Sequence, residues 1–186
     1  MKHLTLVSLL AMLLVGCGKP EVADAPAPIP DSGRLVASLK VAKVVAYRFA
    51  SPGEGGVQEP TTLFTPEGQL DKEALTNLKR SEAVLTPGQV GRLVEAVYGD
   101  HGKTPPAACY DPHHIFLFYD ADGELINAVE VCFSCTNLVA QPEIEESQWF
   151  RHDYRELARI GDESGIGMSS GKAEDFIRLW DERDGL

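Results

Sequence analysis

The chain has 186 residues, four cysteines and a formal net charge of −11. Proteins that bind nucleic acid do so by neutralising phosphates with Lys and Arg, so this balance argues against nucleic acid as a partner. It disfavours close electrostatic adhesion to anionic lipid for the same reason.

In chain order, the first feature is a cationic start, Met1-Lys2-His3, followed by the apolar run Leu4 to Val15 and then Gly16-Cys17. That order is the pattern of an export signal, and the run is shorter than the roughly 20 apolar residues a spanning helix needs. Leu14-Val15-Gly16-Cys17 resembles the lipobox of bacterial lipoproteins. The resemblance implies a signal peptide over residues 1–16, cleavage before Cys17, and a lipid on the Cys17 sulfur that holds the chain on a membrane. Gly18 stands where Asp would mark inner-membrane retention. In a cell with two membranes this implies the outer membrane, with the domain facing the periplasm. Removing residues 1–16 takes away Lys2 and no acid, leaving 16 basic residues against 28 acidic, a net −12. Residues 17–33 carry Pro20, Pro26, Pro28 and Pro30, a density that forbids helix and sheet ladders and predicts an extended tether.

Residues 34–186 are long enough for one globular domain with its own core. Leu39 to Phe49 is rich in β-branched residues and predicts a strand; Ser51 to Gly56 is a loop by composition; Leu70 to Leu78 fits a short helix. Thr86-Pro87-Gly88-Gln89 spells a capping box with Pro at the first helical position. Val90, Leu93, Val94 and Val97 then share one helical face, and Gly99 stops the helix. Ile115 to Tyr119 and Leu125 to Phe133 predict two strands about the turn Asp120-Ala-Asp-Gly123, with Gly123 suited to positive φ. A third helix is expected from Gln148 to Ile160, with Phe150, Tyr154, Leu157 and Ala158 inward. A fourth is expected from Lys172 to Glu182, with Ser170 as cap and Ala173, Phe176, Ile177 and Trp180 inward. The expected class is α+β: a small, mostly antiparallel sheet, with a central hairpin over about 114–133, packed against three or four helices.

The chemistry concentrates where Cys109-Tyr-Asp-Pro-His113-His114 and Cys132-Phe-Ser-Cys135 bracket this hairpin. A bulged turn places His114 opposite Glu130 and Pro112 opposite Cys132, with His114 and Cys132 on one face. A two-residue Asp-Gly turn would instead set His113 opposite Cys132, so register selects the histidine. The Asp-Ala-Asp-Gly spelling favours His114. Cys109, His114, Cys132 and Cys135 then make a Cys3His set suited to a structural zinc ion, with His113 as an alternative ligand and Glu130 as a carboxylate able to orient the imidazole. Outside the cytoplasm thiols oxidise, so a disulfide competes with metal. Cys132–Cys135 as a redox pair, or a staple from Cys109 to either, are the rival readings. The odd number of cysteines left once Cys17 is lipidated favours the metal.

The two strings resemble a pattern in uncharacterised bacterial exported proteins; the likeness points to the second histidine, His114, and implies no activity. No c-type haem motif is present because Thr136 follows Cys135. Gly165 to Lys172 has the wrong glycine spacing for a phosphate loop and reads as a helix–helix connection. Asp120-Ala-Asp-Gly123 lacks the later Glu of a calcium loop. No catalytic residue is assigned, and an enzyme is the less favoured reading. The functional expectation is a membrane-anchored lipoprotein with structural zinc. Its rivals are an envelope thiol–disulfide protein, or a non-catalytic assembly lipoprotein that binds an envelope protein.

Overall fold

A computed structural model describes residues 40–50, 54, 62–99, 101, 108–142 and 152–184. The expected signal peptide, Cys17, the tether, most of the 51–56 loop and the segment Gln148–Phe150 lie outside the described residues. Among the described residues no helix is long and apolar enough to cross a membrane.

Among the described residues five strands, β1 (Lys43–Phe49), β2 (Lys79–Val84), β3 (His114–Tyr119), β4 (Leu125–Cys132) and β5 (Asn137–Gln141), form one sheet in the order β2-β1-β3-β4-β5. Every neighbouring pair is antiparallel. The expected hairpin is β3–β4, and β3 is the central strand. Among the described residues four helices accompany the sheet: α1 (Lys72–Leu78), α2 (Pro87–Tyr98), α3 (Tyr154–Ser164) and α4 (Ala173–Asp184). The fold is α+β, a small antiparallel sheet packed against four helices.

The helices begin where backbone donors find acceptors. Asp71 accepts from the Ala74 N–H at the start of α1. Thr86 and Gln89 form the complete reciprocal capping box of α2, so the four-residue spelling is realised. Asp153 accepts from the Glu156 N–H, and α3 starts at Tyr154, six residues later than the apolar spacing suggested. That helix continues to Ser164, and Gly165 ends it with φ +85°, a conformation that suits a residue without Cβ.

Both faces of the sheet are covered. On one, Val44, Ala46, Phe116, Phe118, Val129 and Val131 pack against Leu93, Val97, Leu157, Ile160 and Trp180 of α2, α3 and α4. On the other, Phe49, Ile115, Leu117 and Ala128 pack with Leu63 and with Leu75 of α1. Burial on both sides explains why β3 reads as an unbroken apolar run rather than an alternation.

Candidate functional site

The site begins with the β3–β4 turn. Asp120 N–H donates to the Glu124 carbonyl, the Gly123 N–H to the Asp120 carbonyl, and Gly123 has φ +86°. This is the bulged turn expected from its spelling. Asp120 Oδ1 accepts the N–H groups of Asp122 and Glu124, so its carboxylate holds the turn. Tyr119 faces Leu125, as a bulged turn dictates, but the register then shifts between Phe118 and Tyr119. Beyond that irregularity His114 pairs with Val131 and Ile115 with Glu130. The expected His114–Glu130 pairing is corrected by one residue, and one residue changes the face.

His114 therefore points away from the cysteines, toward the α2–α4 side. Its ring meets Phe133 edge-on, with centroids 4.9 Å apart, and Nε2–H donates to the Gly167 carbonyl at 2.8 Å. Complete burial pushes its pKa down to about 4, against the smaller upward pull of the Gly167 bond. The unfolded chain thus takes up the proton more readily than the fold. This contribution to stability is present above pH 6.5 and lost as pH falls toward 4. We expect the loss to be about 3 kcal/mol, read as the urea midpoint against pH, and His114→Gln to remove that acid limb.

Cys109 and Cys135 are joined in a disulfide, with Cα atoms 5.8 Å apart, inside the usual span of about 4.4–6.8 Å. It bridges the segment before β3 to the turn after β4. Cys109 is exposed, Cys135 is buried, and Cys132 remains a free thiol with no exposed surface. The Cys132 sulfur accepts the backbone N–H of Cys135 at 3.1 Å and that of Asp111 at 3.4 Å. The Ser134 hydroxyl stands between sulfurs, 3.3 Å from Cys132 Sγ and 3.9 Å from Cys135 Sγ.

These positions overturn the zinc reading. Among the described residues no group of three or more His, Cys, Asp or Glu side chains is arranged to hold a metal ion. Two of the three expected thiolate ligands, Cys109 and Cys135, are bonded to each other, and the expected imidazole of His114 lies on the opposite face of the sheet from Cys132. The Cys3His set and its zinc cofactor are therefore withdrawn. The same register withdraws Glu130 as a partner of His114.

The other histidine and the acid join the cysteine side. His113 lies just before the last ladder pair, His114–Val131, and its N–H donates to the Val131 carbonyl at 3.2 Å, beside Cys132. His113 Nε2 lies 3.2 Å from Asp111 Oδ2, its ring packs edge-on to Phe49, and its Nδ1 is buried with no hydrogen-bond partner among the described residues. Glu130, fully buried, accepts from Leu63 N–H at 2.6 Å, Thr62 Oγ1–H at 2.7 Å and Tyr110 O–H at 2.8 Å. Burial raises its pKa above 4.5 despite these three donors. Tyr110, held by Glu130, has its phenol pKa raised by burial and then by that carboxylate.

The Asp111 role was not foreseen: nothing in the string distinguished it from an ordinary turn acid, although Asp-Pro-His places it two residues from His113. Gly167, from the stretch compared with a phosphate loop, serves instead as the carbonyl partner of His114. Comparison with protein-family models, with curated proteins and with solved structures finds no match to this chain.

Proposed function

We propose that this chain is an exported lipoprotein, tethered through Cys17, whose domain carries out thiol–disulfide exchange with Cys132 as the attacking thiol. The observation that carries the reading is the Cys132 sulfur, held by two backbone N–H donors beside the Cys109–Cys135 disulfide. An attacking sulfur must be held beside the disulfide it attacks, and these two donors fix the Cys132 sulfur there. The expected pairing of Cys132 with Cys135 becomes the product of the reaction rather than its resting state. In the balanced step, Cys132 loses its proton and its sulfur bonds Cys135 Sγ. The Cys135–Cys109 bond breaks, Cys109 leaves as a thiolate, and that thiolate is protonated. No outside oxidant is needed. The exposed Cys109 then meets thiols or disulfides of envelope proteins, which are the partner class this chemistry implies.

The full chain is expected to catalyse thiol transfer between dithiothreitol and a small aromatic disulfide, and Cys132→Ser to abolish it. Equal rates for the two would overturn the reading. The anchor is tested by the mass of the mature N-terminus: a lipid-modified Cys17 supports it, and a chain beginning at Met1 contradicts it.

A second reading draws on the complete burial of Cys132. In a non-catalytic assembly lipoprotein the disulfide would be a staple beneath the hairpin and the thiol an inert core residue. Equal transfer rates would favour it.

A further inference from the structure

We infer that Asp111 and His113 form a proton-accepting pair for Cys132, with His113 Nδ1 taking the thiol proton and Asp111 holding the ring. This rests on the exchange reading above. Three observations converge on it. Asp111 touches both members: its backbone N–H donates to Cys132 Sγ at 3.4 Å, and its carboxylate lies 3.2 Å from His113 Nε2. A nitrogen facing a carboxylate carries the ring proton, which leaves Nδ1 with the free lone pair. That Nδ1, like Asp111 Oδ1 and His114 Nδ1, has no partner among the described residues, on a residue 7% exposed, whereas buried polar atoms ordinarily have one. Finally, the His113 N–H donates to the carbonyl of Val131, the neighbour of Cys132, and its ring packs on Phe49, on the face that Ile115 and Glu130 share; strand alternation sets Cys132 on that face too.

The ionisable groups around the His113–Cys132 pair are Asp111 and Tyr110 on the approach segment, Cys132 and Glu130 from β4, and Tyr154 of α3, which acts on Cys132 and Tyr110. Arg48 from β1 pairs with His114 on the other face, and His113 repels the charged form of His114 across the strand. Glu130 already accepts three hydrogen bonds, so Asp111 is the carboxylate left to orient the ring. In the step, the Cys132 proton moves to His113 Nδ1 as sulfur attacks Cys135, and His113 returns it to the Cys109 thiolate directly or through water. His113 acts on the reacting proton; Asp111 is a positioning residue.

The test is the rate at which iodoacetamide traps Cys109 in the oxidised full chain, because Cys109 is a thiol only after exchange. At pH 7 His113→Gln is expected to slow trapping by about 100-fold, and the remaining rate should rise about tenfold per pH unit, following hydroxide. In the unaltered chain the rise is shallower. Asp111→Asn, which keeps the backbone N–H on Cys132, should slow trapping by a smaller factor and give an intermediate slope. Unchanged rates and slopes in both variants overturn the pair. Should His113→Gln fail to form the Cys109–Cys135 bond, Asp111→Asn decides alone, and an unchanged rate there is fatal. Absence of Cys109 trapping in the unaltered chain would instead overturn the exchange reading itself.

Discussion

Glu130→Ala is expected to destabilise the domain by about 4 kcal/mol, the largest single-residue effect anticipated here. The carboxylate gathers three donors in a buried site: the Leu63 N–H, the Thr62 hydroxyl and the Tyr110 hydroxyl. Leaving a buried donor unsatisfied costs about 1–3 kcal/mol; Leu63 is buried and Tyr110 half-buried, while the exposed Thr62 can turn to water, so the three do not add fully. The carboxylate also joins distant parts of the chain, since Thr62 and Leu63 precede α1 while Tyr110 leads into β3. Its pKa is raised in the fold, mainly by desolvation. The native state therefore holds the proton more tightly than the unfolded chain. Its contribution is complete below pH 4.5 and is lost as pH rises through the folded value. This slope opposes that of His114, so variants must separate the two. Glu130→Gln, which keeps the shape without the charge, should flatten the limb above pH 4.5. Urea midpoints across pH, with Glu130→Ala beside it at one pH, check both statements.

Cys109→Ser is expected to cost about 3.5 kcal/mol through loss of the disulfide, from the chain entropy of closing a loop of this size. The bond links positions 26 residues apart and encloses β3, the turn and β4. Cys132→Ser should cost much less, about 1 kcal/mol, since a hydroxyl at that site still accepts from the Asp111 and Cys135 N–H groups. The contrast, read from urea midpoints without reductant, separates the bonded cysteines from the thiol. A zinc site built on all three would make the two substitutions comparably damaging.

Much of the fold was written in local chemistry. Thr86-Pro87-Gly88-Gln89 could be read because a capping box is satisfied by four consecutive residues, whatever lies around them. The β3–β4 turn was legible for the same reason. Two strands were not foreseen. Lys79–Val84 is charged and sits at the edge of the sheet, where Lys and Glu guard against mispairing and erase the apolar alternation. Asn137–Gln141 is five residues long, with Leu138 and Ala140 buried, too short for its period to stand out.

The site was legible in composition and not in geometry. The sequence strings identified the cysteines, both histidines and Glu130, and the turn was of the expected type. One irregularity between Phe118 and Tyr119 then moved His114 to one face and His113 to the other. A register slip of this kind depends on how the whole hairpin packs between two covered faces, and four turn residues do not encode it. An odd cysteine does not require a metal: Cys132 finds backbone donors and a place beside a disulfide.

The most direct test of the exchange account is a time course of native alkylation followed by non-reducing peptide mapping of the oxidised full chain. The account predicts that, of Cys109, Cys132 and Cys135, unfolding at the start reveals one thiol, at Cys132, with Cys109 linked to Cys135. It then predicts that native incubation with iodoacetamide accumulates chains alkylated at Cys109 and linked Cys132 to Cys135. Three free thiols at the start, or a Cys109–Cys135 bond that persists while Cys109 is never trapped, would contradict it.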